Sequence, residues 1–502
     1  MKKIAVLIAL ILALTLSLAS LTGFGETLGT AETAAVALDL SEYFSDRDLA
    51  GTWDADEAVT VALTGSGADC DSAAVTVDNG TVTIAAAGTY VLSGSYDGAI
   101  VVNAADDEKV QLVLNGVSLA PASGAAIVVE SADKVFITLA EGTENTLACT
   151  GFDETSDIDA AIFARDDIAF NGGGALTITS AGHGIVGKDD VKFAAGTYTI
   201  TAENRGIDAN DSVRIAGGSF TIVAGKDGIR AKNEDDDTKG YIVIFDGTFI
   251  ITAGGGAQNG AAHSDGMMGF GRQASSTSEG SSTSTKGIKA SGDLTILGGS
   301  FTVDAADDAF HSDANLTVTG GAISAASGDD GMHANATLSL SGGTIAITRS
   351  YEGLEGQTIL VSGGDISVTA SDDGLNAAGG SDGSGYGFYD MFSSGGDALL
   401  AISGGTLYVN ASGDGLDSNG DMNVSGGTIV VSGPTNSGNG ALDFGEMGAA
   451  SITGGTLIAA GASGMGENFG SGSTQVSMLV NLSGQGGAIT VTDASGSVVL
   501  SG

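Results

Sequence analysis

A small residue followed by an apolar one recurs along this chain at Gly184-Ile185, Gly206-Ile207, Gly228-Ile229, Gly287-Ile288, Ala309-Phe310, Gly331-Met332, Gly353-Leu354, Gly374-Leu375 and Gly415-Leu416. Most steps are 22 residues and one is 21; the long steps of 59 and 41 equal one unit plus an insertion. A second series, Gly174, Gly196, Gly218, Gly247, Gly299, Gly321, Gly343, Gly364, Gly405, Gly427 and Gly455, keeps step with the first. A fixed period of this length means stacked structural units. Between the markers, apolar and polar residues alternate, as in Thr344-Ile345-Ala346-Ile347-Thr348, which is the signature of strands rather than helices. No unit holds a helix-length apolar pattern, which excludes leucine-rich and ankyrin-type repeats. The expected fold is all-β: a right-handed single-stranded parallel β-helix, a solenoid of about 22 residues per coil, with N- and C-terminal caps. Glycine at the corners permits positive φ. Only 2 Pro in 502 residues leave the ladder hydrogen bonds between coils available.

Residues 1–25 read as a secretory signal, with Lys2 and Lys3 before the apolar run Ile4–Leu18 and small residues at Ala19-Ser20. A retained anchor is the other reading of that run; no later run is long and apolar enough to span a bilayer. A secreted or cell-surface location is expected. Residues 26–74 are expected as an N-terminal cap and 75–463 as the solenoid. Residues 464–502 are expected as a C-terminal β cap or truncated module, with strands at Val476–Leu482 and Ala488–Leu500. Insertions at 254–285 and 379–396 leave the repeat. The second holds Tyr386 and Tyr389, whose rings suit stacking on sugars or folding onto the solenoid. Cys70 and Cys149 either pair in an oxidising compartment or stay as buried thiols.

The chain carries 61 acidic and 18 basic side chains, a formal charge of -43. With 42% hydrophobic residues and a strict period it is not disordered. Nucleic acid and anionic membrane surfaces are excluded as partners by like charge; after signal removal a soluble monomer is expected. Aligning the units places Asp308, Asp330, Glu352, Asp373 and Asp414 directly before the marker, and Asp307, Asp329 and Asp372 one position earlier. His311, His333, Glu355, Asn376 and Asp417 follow in a third column. Coils stack about 4.8 Å apart, where two unit charges repel by roughly 1 kcal/mol in water and roughly 3–4 kcal/mol at an effective dielectric of 20. Such a ladder calls for cations or raised pKa values. Calcium, with its 6–8 oxygen ligands, fits carboxylates and Asn best; four His and two Cys offer little for zinc. A solvated acidic edge is the plainer reading. The earlier coils hold Arg205, Arg230, Lys286 and Lys289 at comparable positions, suited to carboxylated sugars or to pairing with neighbouring Asp.

Several runs carry a resemblance: Ser95-Tyr96-Asp97-Gly98, Lys109–Val117, Ser131–Leu139, Glu141–Leu147, Asp159–Phe163, Lys239–Ile244 and the Asp-Gly-apolar units. Over roughly residues 90–460 the chain resembles a bacterial secreted carbohydrate-binding β-solenoid family, whose known member binds polygalacturonate and cellulose. The resemblance implies a fold akin to pectate lyases, bound Ca2+, and binding of acidic polysaccharide without established catalysis. Lys286 and Tyr351 depart from the acidic pattern on their coils. The metal residues expected are therefore Asp307, Asp308, Asp329, Asp330, Glu352, Glu355, Asp372, Asp373, Asp414 and Asp417. Arg205, Arg230, Lys289, Arg349, Tyr386 and Tyr389 are the expected sugar contacts. Two other functions compete: a calcium-dependent pectate lyase, with Arg349 as the candidate base, and a structural adhesin or spacer.

Overall fold

The computed structural model describes residues 38–153, 155–261, 283–378, 398–445, 448–482, 490–492 and 494–501. Forty strands join in one hydrogen-bonded network. Its pairings are parallel except for two short antiparallel contacts near the start, between Val59–Gly65 and Ala68–Asp69 and between Val75–Asp78 and Thr81–Ile84. A typical coil contributes three strands, Ile207–Ala209, Ser212–Ile215 and Ser219–Ala224. They stack in register on Ile229–Ala231, Tyr241–Ile244 and Thr248–Ala253 of the next coil. Repetition of this step builds three parallel sheets around one core, a parallel β-helix.

Alternation sets which side chains enter the core. In Ser219–Ala224 the inward residues are Phe220, Ile222 and Ala224. Each fully buried aliphatic or aromatic side chain contributes about 1.5–3 kcal/mol. Rings at one position stack through the interior: Phe220 on Phe249 at 4.9 Å and 2°, and Phe249 on Phe301 at 4.6 Å and 5°.

The two glycine series serve different ends. Gly218 and Gly247 adopt φ of 120° and 139°, as corner positions require. The marker glycines are not among the positive-φ residues. A Cβ on Gly206 would lie 2.5 Å from Ile222 Cγ2 and 2.6 Å from the Gly228 carbonyl oxygen. At Gly206 the coil is packed too tightly for even a Cβ to fit without displacing backbone.

Parallel stacking reaches back to Val59–Gly65, which pairs with Gly88–Tyr96. Residues 43–52 run along the outer face of the second sheet. Asp48 pairs with Lys134 at 3.3 Å and Lys192 at 3.7 Å, and Tyr43 packs edge-on to Phe245. Both cysteines are free thiols, so the disulfide alternative falls. Cys149 lies in the core, where burial pushes its thiol up to about 11, and Cys70 packs at the core's margin. The solenoid's last strand is Thr456–Ala460. Val476–Leu482, expected as a strand, forms none; Val476 is 93% exposed and the segment finds no ladder partner. A separate antiparallel pair joins Thr490–Thr492 and Val498–Ser501. No helix among the described residues is long and apolar enough to cross a membrane. The signal segment, Tyr386 and Tyr389 lie outside the described residues.

Candidate metal and saccharide site

The first sheet positions the charged columns. Its short strands place Asp208, Arg230, Lys289, His311, His333, Glu355, Asn376 and Asp417 opposite one another on successive coils. The residue before each marker forms a second column beside it: Arg205, Asp227, Lys286, Asp308, Asp330, Glu352, Asp373 and Asp414. Most of these side chains are buried or half-buried. A freely solvated acidic edge is therefore excluded, because Asp308, Asp330 and Glu352 are at most 4% exposed.

Along the earlier coils, cation and anion alternate. Arg205 Nε lies 2.7 Å from Asp227, whose other oxygen accepts from the Lys286 backbone N–H at 3.0 Å. Arg230 reaches Asp208 at 2.7 Å, assisted by Lys232 at 3.2 Å. Burial raises the Asp208 carboxyl, but Arg230 and Lys232 outweigh it and bring the pKa below its ordinary value. Lys286 Nζ bridges Asp307 at 3.0 Å and Asp308 at 2.6 Å, and Lys289 lies 3.6 Å from Asp313. Arg205, Arg230 and Lys289 are thus occupied by aspartates, and the geometry favours the pairing reading over free sugar-binding cations. Burial would raise Asp308, yet Lys286 and His311 hold it well below the usual carboxylate range.

Past His333 no Lys or Arg among the described residues pairs with Glu352, Asp373 or Asp414. Burial, then Glu355, pushes Glu352 well above the ordinary carboxylate range. Burial, then Asp417 and Glu352, does the same to Asp373. Burial, with Asp443 and Asp372, raises Asp414 to about 7. Glu352 accepts one hydrogen bond from Asn376 Nδ2 at 2.8 Å, while Asn376 Oδ1 is buried with no partner among the described residues. Glu352, Asp372, Asp373, Asn376, Asp414 and Asp417 offer only oxygen donors outside the amide nitrogen, and an orphaned carbonyl oxygen sits among them. That donor set fits Ca2+. The Asp307, Asp308 and Asp329 cluster does not, since the Lys286 ammonium already lies against two of its three carboxylates.

A family profile described as "Carbohydrate-binding domain-containing protein" matches residues 78–331 and 330–497. The chain belongs to this carbohydrate-binding family. A relative of the same description from Acetivibrio thermocellus is 45% identical over 179 residues, covering 34% of this chain. The chain spans 63% of that relative's length. A solved structure called a polysaccharide lyase-like protein from C. thermocellum, a gadolinium derivative, aligns with TM-score 0.42 at 26% identity. It covers 56% of this chain and 96% of its own.

In this chain, Arg349 stands apart from both columns. It is exposed at the end of Thr344–Arg349, beyond a register shift that sets it opposite Ala326. Two acids were not expected: Asp443 and Glu467, both raised chiefly by burial, flank Asp414. Asp443 follows Ala441-Leu442, a further marker 26 residues after Gly415, and Leu442 bridges to Leu416 as the regular markers do.

Proposed function

We propose that this protein binds an acidic polysaccharide outside the cell, without chemistry on it, and that calcium assists the binding. The observation that carries this reading is the run of Glu352, Asp372, Asp373, Asn376, Asp414 and Asp417. On three successive coils Glu352, Asp373 and Asp414 pair with no Lys or Arg among the described residues and are raised by burial and neighbouring acids, whereas the coils from Arg205 to Lys289 supply such a cation. Membership of a carbohydrate-binding family supports a saccharide partner. Calcium held here supplies positive charge to a uronate carboxylate that the protein's own charge of -43 would otherwise repel. Asp372, Asp373, Asp414 and Asp417 are partly exposed, so an ion they hold keeps positions open to ligand. The chain's own residues orient the ion, and the parallel register repeats the donors at the spacing of the coils.

Polygalacturonate binding to the full chain, measured in calcium and in excess chelator, tests this. Affinity falling by at least tenfold on chelation, with a neutral glucan unaffected, is the expected result. Equal binding in both conditions overturns the calcium reading.

A further inference from the structure

The coil between the lysine-neutralised and the acid-only regions has its own chemistry. His311 and His333 are fully buried and their rings stack at 4.7 Å and 5°. His333 Nε2 lies 2.8 Å from Asn335 Oδ1, so that nitrogen carries the proton it donates. His333 Nδ1 then faces two carboxylates, Glu355 Oε2 at 2.7 Å and Asp330 Oδ2 at 3.1 Å. That nitrogen can share a proton with either carboxyl group or give its lone pair to a metal ion. Asp330 is 1% exposed, and its Oδ1 has no hydrogen-bond partner among the described residues. One ligand atom each from Asp330, His333 and Glu355 lies within 4.8 Å of the others.

We infer that Asp330, His333 and Glu355 form a second cation site, one that takes a first-row transition ion such as Zn2+ in place of the shared proton. An imidazole nitrogen suits such ions and is a poor ligand for calcium. The Nε2–H bond to Asn335 fixes the tautomer that aims the Nδ1 lone pair at the two carboxylates, the outer-shell device of histidine metal sites. A divalent ion there also serves the orphaned Asp330 oxygen. Lys286 bonds Asp307 and Asp308, one coil earlier. The trio is buried, so the ion loads and leaves slowly.

The test is metal retention by the full chain after incubation with Zn2+ and dialysis against excess calcium. About one equivalent of zinc should remain, with imidazole nitrogen in its coordination sphere by X-ray absorption of the wild-type protein. Retention should drop at least tenfold in Glu355→Gln and His333→Asn. Displacement of zinc by calcium, an all-oxygen coordination sphere, or undiminished retention in both variants overturns the site. The wild-type absorption measurement decides the matter even where a variant fails to fold.

Discussion

The coils from Arg205 to Lys289 and those from Glu352 to Asp417 share backbone, register and core, yet they handle buried charge in opposite ways. In the first group each acid in the columns meets an Arg or Lys from a neighbouring coil, as in Arg205–Asp227 and Arg230–Asp208. In the second, acid stacks on acid, and Glu352 and Asp373 respond with strongly raised pKa values. One architecture therefore carries a self-neutralised half and a half that needs protons or cations. The solenoid tolerates both because its stability is roughly a sum of nearest-neighbour terms.

The comparison is most sharply tested at the border. Lys286→Met strips the ammonium from Asp308, which is fully buried, and should cost about 3–5 kcal/mol in denaturant unfolding. A cost under about 1 kcal/mol would mean Asp308 is neutralised some other way. Chelation of divalent ions should come next. Amides of Leu375–Ala377 and Leu416–Ser418 should exchange about tenfold faster, those of Ile207–Ala209 and Ile229–Ala231 unchanged, by hydrogen exchange. Uniform loosening would break the contrast.

Arg230→Met should cost less than Lys286→Met, about 1–2 kcal/mol, since Lys232 still reaches Asp208. Smallest, and opposite in sign between halves, is the response to pH in chelator. Glu352, Asp373 and Asp414 have folded values above their unfolded ones. Their stabilisation is complete below about pH 4 and is lost as pH rises through the raised values, about 7 for Asp414. Asp208 is lowered, so its contribution is present above 3.8 and lost as pH falls through its folded value. Protection of the acid-only coils, corrected for intrinsic exchange, should rise from pH 8 to 5 while the paired coils hold steady. Adding calcium should flatten the difference.

Much of this was legible in the sequence. The period predicted the parallel β-helix, because a strand pattern repeating with corner glycines has few other ways to bury Ile345 and Ile347. It also aligned Glu352, Asp373 and Asp414, since a fixed period makes sequence offset equal to position on the coil. What the alignment could not supply was the partner of each charge. Lys286 reads as a gap in an acidic column, but across one coil it is the cation that neutralises Asp308. Arg205, Arg230 and Lys289 read equally well as sugar contacts until their distances to Asp227, Asp208 and Asp313 are known. Likewise, the marker glycines look like turn residues, and only packing against Ile222 and its equivalents reveals that volume excludes a larger side chain. Sequence determined the fold and the columns because periodicity is a property of the chain alone. Tertiary structure decided burial, pairing and the orphaned oxygens of Asp330 and Asn376, because those depend on the coil above and the coil below.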